Sequence, residues 1–511
     1  MGNMDIQGVS FKSFGSYVNS DACPRSLEQE DKGKVACCDS FVSSQPEEGV
    51  LPLRILHLND LHGATEPEDG LGGLAKTAQL IKEERQEAQG EVLTFNTGDL
   101  AEGTMVSYVA KGKVVTEAMA SIGFDAVEPG NHDFAWGQAT LSDMLTDIKA
   151  PVLNANITDV GGNNWGTPYQ IKDFNGVKVG MIGLTVDNMS RYVEEEKLEG
   201  LQFRQCADTL REYLPMMKKE GADVLILLSH IGFEEDCELA RQFPELDLIV
   251  GGHSHTALQE GHREGNTLIV QSGSKGQYVG EADLDIDLAS KKVIQAQARL
   301  LPVTGDIPAD PEVAKIVETY TEQAEKIGSQ VMGQAEETLT YSHTEAAKVN
   351  QIYADSILEA TGADIAVVGA RNPRAHIGKG EVTFEDLFNA LPHTEDVVVK
   401  IKCPGSLLKE ELELRVQDGA RGPATPAGFT YAYDPKLPSG NRVTDIRLSD
   451  GSPLELDKEY TVGTTLAMAR KGKLKAASER ELMGSPQEAF MDYFSQGGSW
   501  HNDPDARLRK L

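Results

Sequence analysis

The sequence has no long hydrophobic run: its longest strong one is 224–228, closed by Ser229 and His230. A spanning helix needs about 18 consecutive apolar residues, so no membrane-crossing helix is expected. Cysteine is sparse as well. Cys23, Cys37, Cys38, Cys206, Cys237 and Cys403 are all there is in 511 residues, without regular spacing, which argues against a disulfide framework and for a reducing compartment. Basic charge is short: 48 Lys and Arg stand against 80 Asp and Glu, a net charge of -32. Affinity for a polyphosphate backbone draws on clustered cations, so no nucleic-acid partner is expected. A small anion can still be held where a local cationic centre reverses the potential. The opening Met1-Gly2-Asn3-Met4-Asp5 lacks the basic and apolar regions of a secretory signal, and Ile6 stands where myristoylation wants Ser or Thr. A cytoplasmic location is the expectation. No internal repeat or low-complexity tract occurs.

What is present is an ordinary globular composition, 40% hydrophobic and 25% charged, over a length that exceeds what one core serves. Residues 1–50 are polar and aperiodic and read as a disordered leader. From 51 onward apolar runs at 54–58, 92–95, 177–184, 224–228 and 246–250 read as strands. Helical spacing at 74–86, 112–122, 140–147 and 209–219 separates them, the alternation of an α/β unit extending to 305. Within it, 267–271, 278–287 and 293–300 alternate like half-exposed strands able to complete a second sheet. A Pro-Ala-Asp signal then opens a Glu-, Lys- and Ala-rich stretch that predicts one long helix over 309–339, bridging two units within a linker at 306–340. A smaller α/β unit follows at 341–511, with helices at 346–361, 384–390 and 406–416 and strands at 364–368 and 429–434.

Polar residues gather at strand ends. One strand runs into Asp60-Leu61-His62, another into Gly98-Asp99, and a short apolar segment into Gly130-Asn131-His132-Asp133. The run 224–228 delivers Ser229-His230, and 248–250 delivers Gly251-Gly252-His253-Ser254-His255. Beyond the carboxyl ends of strands in an open α/β sheet, side chains converge on one crevice. Singly, Asp60-Leu61-His62 and Gly130-Asn131-His132-Asp133 read as turns with hydrogen-bonded side chains, whereas two His flanking a small residue after paired glycines leave little other use than metal; five motifs in succession point to metal. Imidazole and carboxylate donors suit paired first-row divalent ions such as zinc, manganese or iron. The expected sets are Asp60, His62, Asp99 and His255 for one ion and Asp99, Asn131, His230 and His253 for the other, with Asp99 as bridge.

This motif series resembles that of the calcineurin-like metallophosphoesterases, and with the C-terminal unit the plan is similar to the 5'-nucleotidases over roughly 51–475. The resemblance implies a four-layer α/β/β/α sandwich followed by a smaller C-terminal substrate-binding domain. It implies hydrolysis of a small-molecule phosphate ester, foremost a nucleoside 5'-monophosphate, by a metal-activated water. His132 would act as electrostatic stabiliser or proton donor. The family pattern sets an orienting Asp three residues after this His; here Ala135 stands there, which leaves the role to Asp133 or another acid. Arg371 and Arg374 are the expected phosphate or carboxylate clamps. The base-stacking region of the family reads Thr465-Leu466-Ala467-Met468-Ala469-Arg470-Lys471-Gly472 and lacks its ring, and Leu391-Pro392-His393 replaces a Leu-Pro-Phe. Phe429 is the aromatic expected to supply one stacking face. Two other readings stand beside this one: a non-catalytic metal-binding sensor, and a hydrolase of cyclic phosphodiesters or nucleotide sugars.

Overall fold

The computed structural model describes residues 48–193, 195–392, 396–420, 422–497, 499–501 and 507–511. Nearly all of the 1–50 leader, with Gly2, Cys23, Cys37 and Cys38, lies outside the described residues, as does His393.

Two sheets form the N-terminal unit. The first is ordered Lys292–Pro302, Tyr278–Asp287, Val50–Leu58, Glu91–Thr97, Ala126–Glu128, and the second His262–Glu264, Thr267–Val270, Leu248–Val250, Val224–His230, Val177–Thr185, Tyr169–Phe174. Strand alternation explains how they stack. Leu51, Leu53, Ile55, Leu93 and Phe95 of the first sheet share one buried cluster with Val179, Met181, Val224, Ile226, Leu228, Leu248 and Val250 of the second. The opposite faces are covered by helices. Leu56 and Leu58 pack with the helices Leu74–Glu87, Lys113–Ile122 and Gly137–Ile148. Ile182, Leu184, Leu225, Leu227 and Ile249 pack with Cys206–Lys219 and Phe233–Gln242. Helix, sheet, sheet, helix is the four-layer architecture expected.

The strands expected to complete a second sheet divide between the two. Thr267–Val270 runs parallel to Leu248–Val250 in the second sheet. Tyr278–Asp287 instead returns to the first and pairs antiparallel with Val50–Leu58. The long helix expected over 309–339 also needs correction. Asp310 caps it through hydrogen bonds from the amides of Glu312 and Val313, with Pro311 in the first turn, but it ends at Gly328. Val331–Ala335 is a strand, paired antiparallel with Gly380–Thr383. Helix-favouring composition lost there to a partner edge far away in sequence, which propensity cannot report. Val313 and Val317 belong to the helical core of the first unit, so the helix packs as part of that layer.

In the C-terminal unit a five-stranded sheet is ordered Ala424–Ala427, Ile365–Gly369, Glu459–Thr465, Val398–Pro404, Glu479–Leu482. Lys348–Thr361 covers one face and Gly405–Arg415 the other. Phe384–Ala390 meets the first unit, where Phe388 lies 5.4 Å from the ring of Tyr108.

Candidate metal centre

Three strands of the first sheet run parallel, as do four of the second, so their carboxyl ends lie along one edge of each layer. His230 continues the inward face of Val224, Ile226 and Leu228 and therefore points across the gap between the sheets. Opposite it, the turn after Glu91–Thr97 presents Asp99. The amides of Asp60 and His62 donate to the carbonyls of Gly98 and Asp99, both at 2.9 Å, which zips the first two motifs together. The amide of His253 donates to Asp60 Oδ2 at 3.0 Å and brings in the last motif.

One donor atom each from Asp60, His62, Asp99 and His255 lies within 4.8 Å of the others, and the same holds for Asp99, His230 and His253. Asp99 belongs to both groups. Asn131 follows the Gly130 turn, and the amide of the next residue, His132, donates to Asp99 Oδ1 at 2.8 Å. Six of the seven residues named from sequence as ligands are thus gathered in two donor groups that share Asp99, and Asn131 stands beside them in the turn that hydrogen-bonds Asp99.

The backbone carries strain here. Asp60, His62, Asp99, His253 and His255 have φ of 51°, 49°, 54°, 73° and 54°. Left-handed conformations cost non-glycine residues about 1–3 kcal/mol each and persist where surrounding structure enforces them. Close approach demands glycine alongside: a Cβ on Gly130 would meet Asp99 Oδ1 at 2.2 Å, and one on Gly98 would meet His230 Nδ1 at 2.6 Å.

Hydrogen bonding presents the donors for a cation. His230 Nδ1 lies 2.6 Å from the carbonyl of Thr97, and a carbonyl only accepts, so the proton sits on Nδ1. Nε2 is then the atom that faces Asp99 Oδ2, 3.2 Å away. His62 repeats the device, with Nδ1 3.1 Å from the carbonyl of Glu102 and Nε2 3.0 Å from Nε2 of His255. Asn131 Oδ1 is buried with no hydrogen-bond partner among the described residues. Converging imidazole nitrogens and carboxylate oxygens, with an orphaned amide oxygen beside them, fit a pair of cations.

The field says the same. Burial opposes charge on Asp99, yet His230, His132 and His62 outweigh it and hold the carboxyl well below the usual range. Burial likewise opposes charge on His230, but Asp99 and Asp60 push it up to about 10. Its neighbour His253 is driven by burial, then by His230, down to about 4. Buried carboxylates here draw positive charge from whatever lies within reach.

Other expected site residues are placed differently. Asp133 is held away from chemistry: its carboxylate accepts from the amides of Asp99 at 3.0 Å, Leu100 at 2.7 Å and Gly130 at 2.8 Å. Burial, then the charge of Asp99, raises it to about 7. Phe429 is 2% exposed in the C-terminal core, stacked 6.2 Å from Tyr431, so it is not the stacking face expected. A ring at an inward position of a strand is spent on packing. Arg371 and Arg374 follow the strand Ile365–Gly369, beside His343, whose pKa is lowered by burial and, among other causes, by their charge. Glu102 is one residue that the sequence did not reveal. Its Oε2 lies 2.8 Å from His132 Nδ1, and its only sequence signal is its place in the loop after Gly98-Asp99. Tyr192 was missed too; its ring meets that of His253 edge-on at 4.9 Å.

A family profile described as calcineurin-like phosphoesterase matches residues 53–257, and one described as 5'-nucleotidase, C-terminal domain, matches 329–478. The chain belongs to the calcineurin-like phosphoesterases of the 5'-nucleotidase family. It is 28% identical to a snake venom 5'-nucleotidase of Naja atra over 81% of this chain and 89% of that one. An endonuclease of Bacillus subtilis is 27% identical over 83% of this chain but 37% of its own length, and a trifunctional nucleotide phosphoesterase of the same organism is matched over 32%. This chain therefore spans about a third of those two relatives. A 5'-nucleotidase precursor from Thermus thermophilus superposes with a TM-score of 0.66 at 25% identity, covering 90% of this chain and 99% of that one. Dinuclear divalent metal centres are a property of this family, and the clustered donors fit one.

Proposed function

We propose that the protein hydrolyses phosphate monoesters, foremost nucleoside 5'-monophosphates, at this centre. The observation that carries the reading is the convergence of six carboxylate and imidazole donors, with the orphaned Asn131 oxygen, on one cleft between the sheets. Asp60, His62, Asp99 and His255 would hold one ion, and Asp99, Asn131, His230 and His253 the second. When bound, such a pair supplies Lewis-acid polarisation of phosphoryl oxygens and an acidified water.

The chain's own groups do the rest. Thr97 and Glu102 carbonyls fix the Nδ1–H tautomers of His230 and His62, so each ring offers Nε2. Asp133 ties the Gly98–Leu100 turn to Gly130 and keeps Asp99 between the two donor sets. His132 holds its Nδ1 proton against Glu102, so substrate chemistry falls to Nε2, as hydrogen-bond donor to a phosphoryl or leaving oxygen. Arg371 and Arg374 are the side chains we assign to an anionic part of the substrate.

A wider leaving-group range has its own support. Phe429 is committed to the core, and Arg470, in the segment where the family keeps its base-stacking turn, donates instead to the carbonyls of Ser190 at 3.0 Å and Val193 at 3.3 Å in the first unit. The test is a panel of nucleoside monophosphates, cyclic nucleotides, nucleotide sugars and p-nitrophenyl phosphate with manganese, with zinc and after chelation. Phosphate release from the monophosphates is expected. Its absence from every ester, with metal present by elemental analysis, would favour a ligand sensor.

No helix among the described residues is long and apolar enough to cross a membrane. Cys206, Cys237 and Cys403 are free and buried, which supports a cytoplasmic home. Thiol titration of the denatured, unreduced protein is expected to find all six cysteines as thiols.

A further inference from the structure

We propose that Glu102 is a positioning residue for His132, holding the ring by its carboxylate; the inference rests on the phosphomonoesterase reading above. The contact joins a buried carboxylate to a half-buried imidazole. The Glu102 side chain is 5% exposed and that of His132 30%, with Oε2 2.8 Å from Nδ1. A carboxylate accepts, so the contact fixes the proton on Nδ1 and the orientation of the ring together.

The loop that carries Glu102 is rigidly docked. The amides of His62 and Gly63 donate to the carbonyls of Asp99 and Leu100 at 2.9 and 3.0 Å, and Thr104 Oγ1 donates to the Gly63 carbonyl at 2.7 Å. Between these ties, the Glu102 carbonyl receives His62 Nδ1 at 3.1 Å. One residue thereby orients two imidazoles, an expected ligand through its backbone and His132 through its side chain. The rings of His62 and His132 meet edge-on at 4.9 Å, so a turn of one would disturb the other.

The adjacent acid is otherwise engaged. Asp133 is spent on three backbone amides. Position 135, one turn of a 3-10 helix after His132 and so on its side of the turn, is an alanine. The charge that would orient His132 comes from a different loop, thirty residues upstream in the chain.

The test uses the full-length metal-loaded protein and p-nitrophenyl phosphate. Glu102→Ala is expected to lower kcat by about 10–100-fold, the usual cost of removing a partner that orients an active-site imidazole, with KM and metal content unchanged. Glu102→Gln keeps an accepting oxygen and should recover part of the loss. In a His132→Ala background, Glu102→Ala should add less than about threefold, because the two residues act as one unit. Crystals of metal-free Glu102→Ala should show the His132 ring turned from its present orientation. Equal losses in both backgrounds, loss of metal along with turnover, or an unmoved ring would overturn the assignment. Wild-type protein is assayed alongside: if it releases no phosphate, the esterase reading falls, while the crystal result still judges Glu102.

Discussion

At the scale of single residues, the site separates groups that grip cations from groups that meet substrate. Asp99 reaches both donor sets, so Asp99→Ala is expected to abolish turnover and to strip most bound metal, read by elemental analysis beside the assay. His132→Ala should lower kcat by about 10²–10⁴-fold with both ions retained; an equal loss of metal would place His132 among the ligands. Asp133 belongs to neither group. Removing its carboxylate strands three buried amides, each worth about 1–3 kcal/mol when unsatisfied. Asp133→Ala is therefore expected to destabilise the fold by about 3 kcal/mol or more in urea titration. Unchanged stability with lost activity would return Asp133 to the chemistry. These roles were only half legible. His230 and Asp99 were readable because each ends an apolar strand. Glu102 was not, because nothing in the spacing of residues 99–104 says that a side chain there reaches the Asn131-His132 turn.

The element scale shows how one strand sets both packing and pH response. His57 lies on the face of Val50–Leu58 that also carries Leu51, Leu53 and Ile55, and both its ring nitrogens are buried without a partner among the described residues. A Cβ on the paired Gly280 would meet Nε2 at 2.0 Å. Burial drives this histidine down to about 3, while the unfolded chain titrates near 6.5. Above that value both states are neutral and nothing is lost. As pH falls from about 6.5 toward 3, the unfolded chain gains a proton that the folded one refuses, and stability drops by about 1.4 kcal/mol per unit. His57→Leu should therefore lose about 2 kcal/mol less than the parent between pH 7 and 5, read as a smaller shift of the urea midpoint. Parallel dependence in the two proteins would refute this.

Elements were the most legible scale. Helices such as Leu74–Glu87 and Phe384–Ala390 and strands such as Tyr278–Asp287 follow the periodicity almost residue for residue. Val331–Ala335 did not, since its strand state depends on an edge some fifty residues away that no local pattern contains.

For the whole molecule, the charges that matter most are the buried carboxylates of Asp60 and Asp99, gathered with the histidines at one site between the two sheets. Ions bound there stabilise the folded state by mass action. Chelation is expected to lower the melting temperature of the metal-loaded protein, and manganese should restore it; Asp99→Ala should show neither response. Identical melting curves for the parent with and without chelator would mean that the cluster holds no ions.

The sequence by itself determined the alternation of strands and helices and which polar residues would stand at strand ends, because both follow from local periodicity and turn chemistry. Only the tertiary structure decided which sheet each late strand joined, that Phe429 would be core, that Asp133 would brace a backbone, and that Glu102 would face His132. Those outcomes rest on contacts between segments distant in the chain, whose energies arise only once the two sheets have stacked.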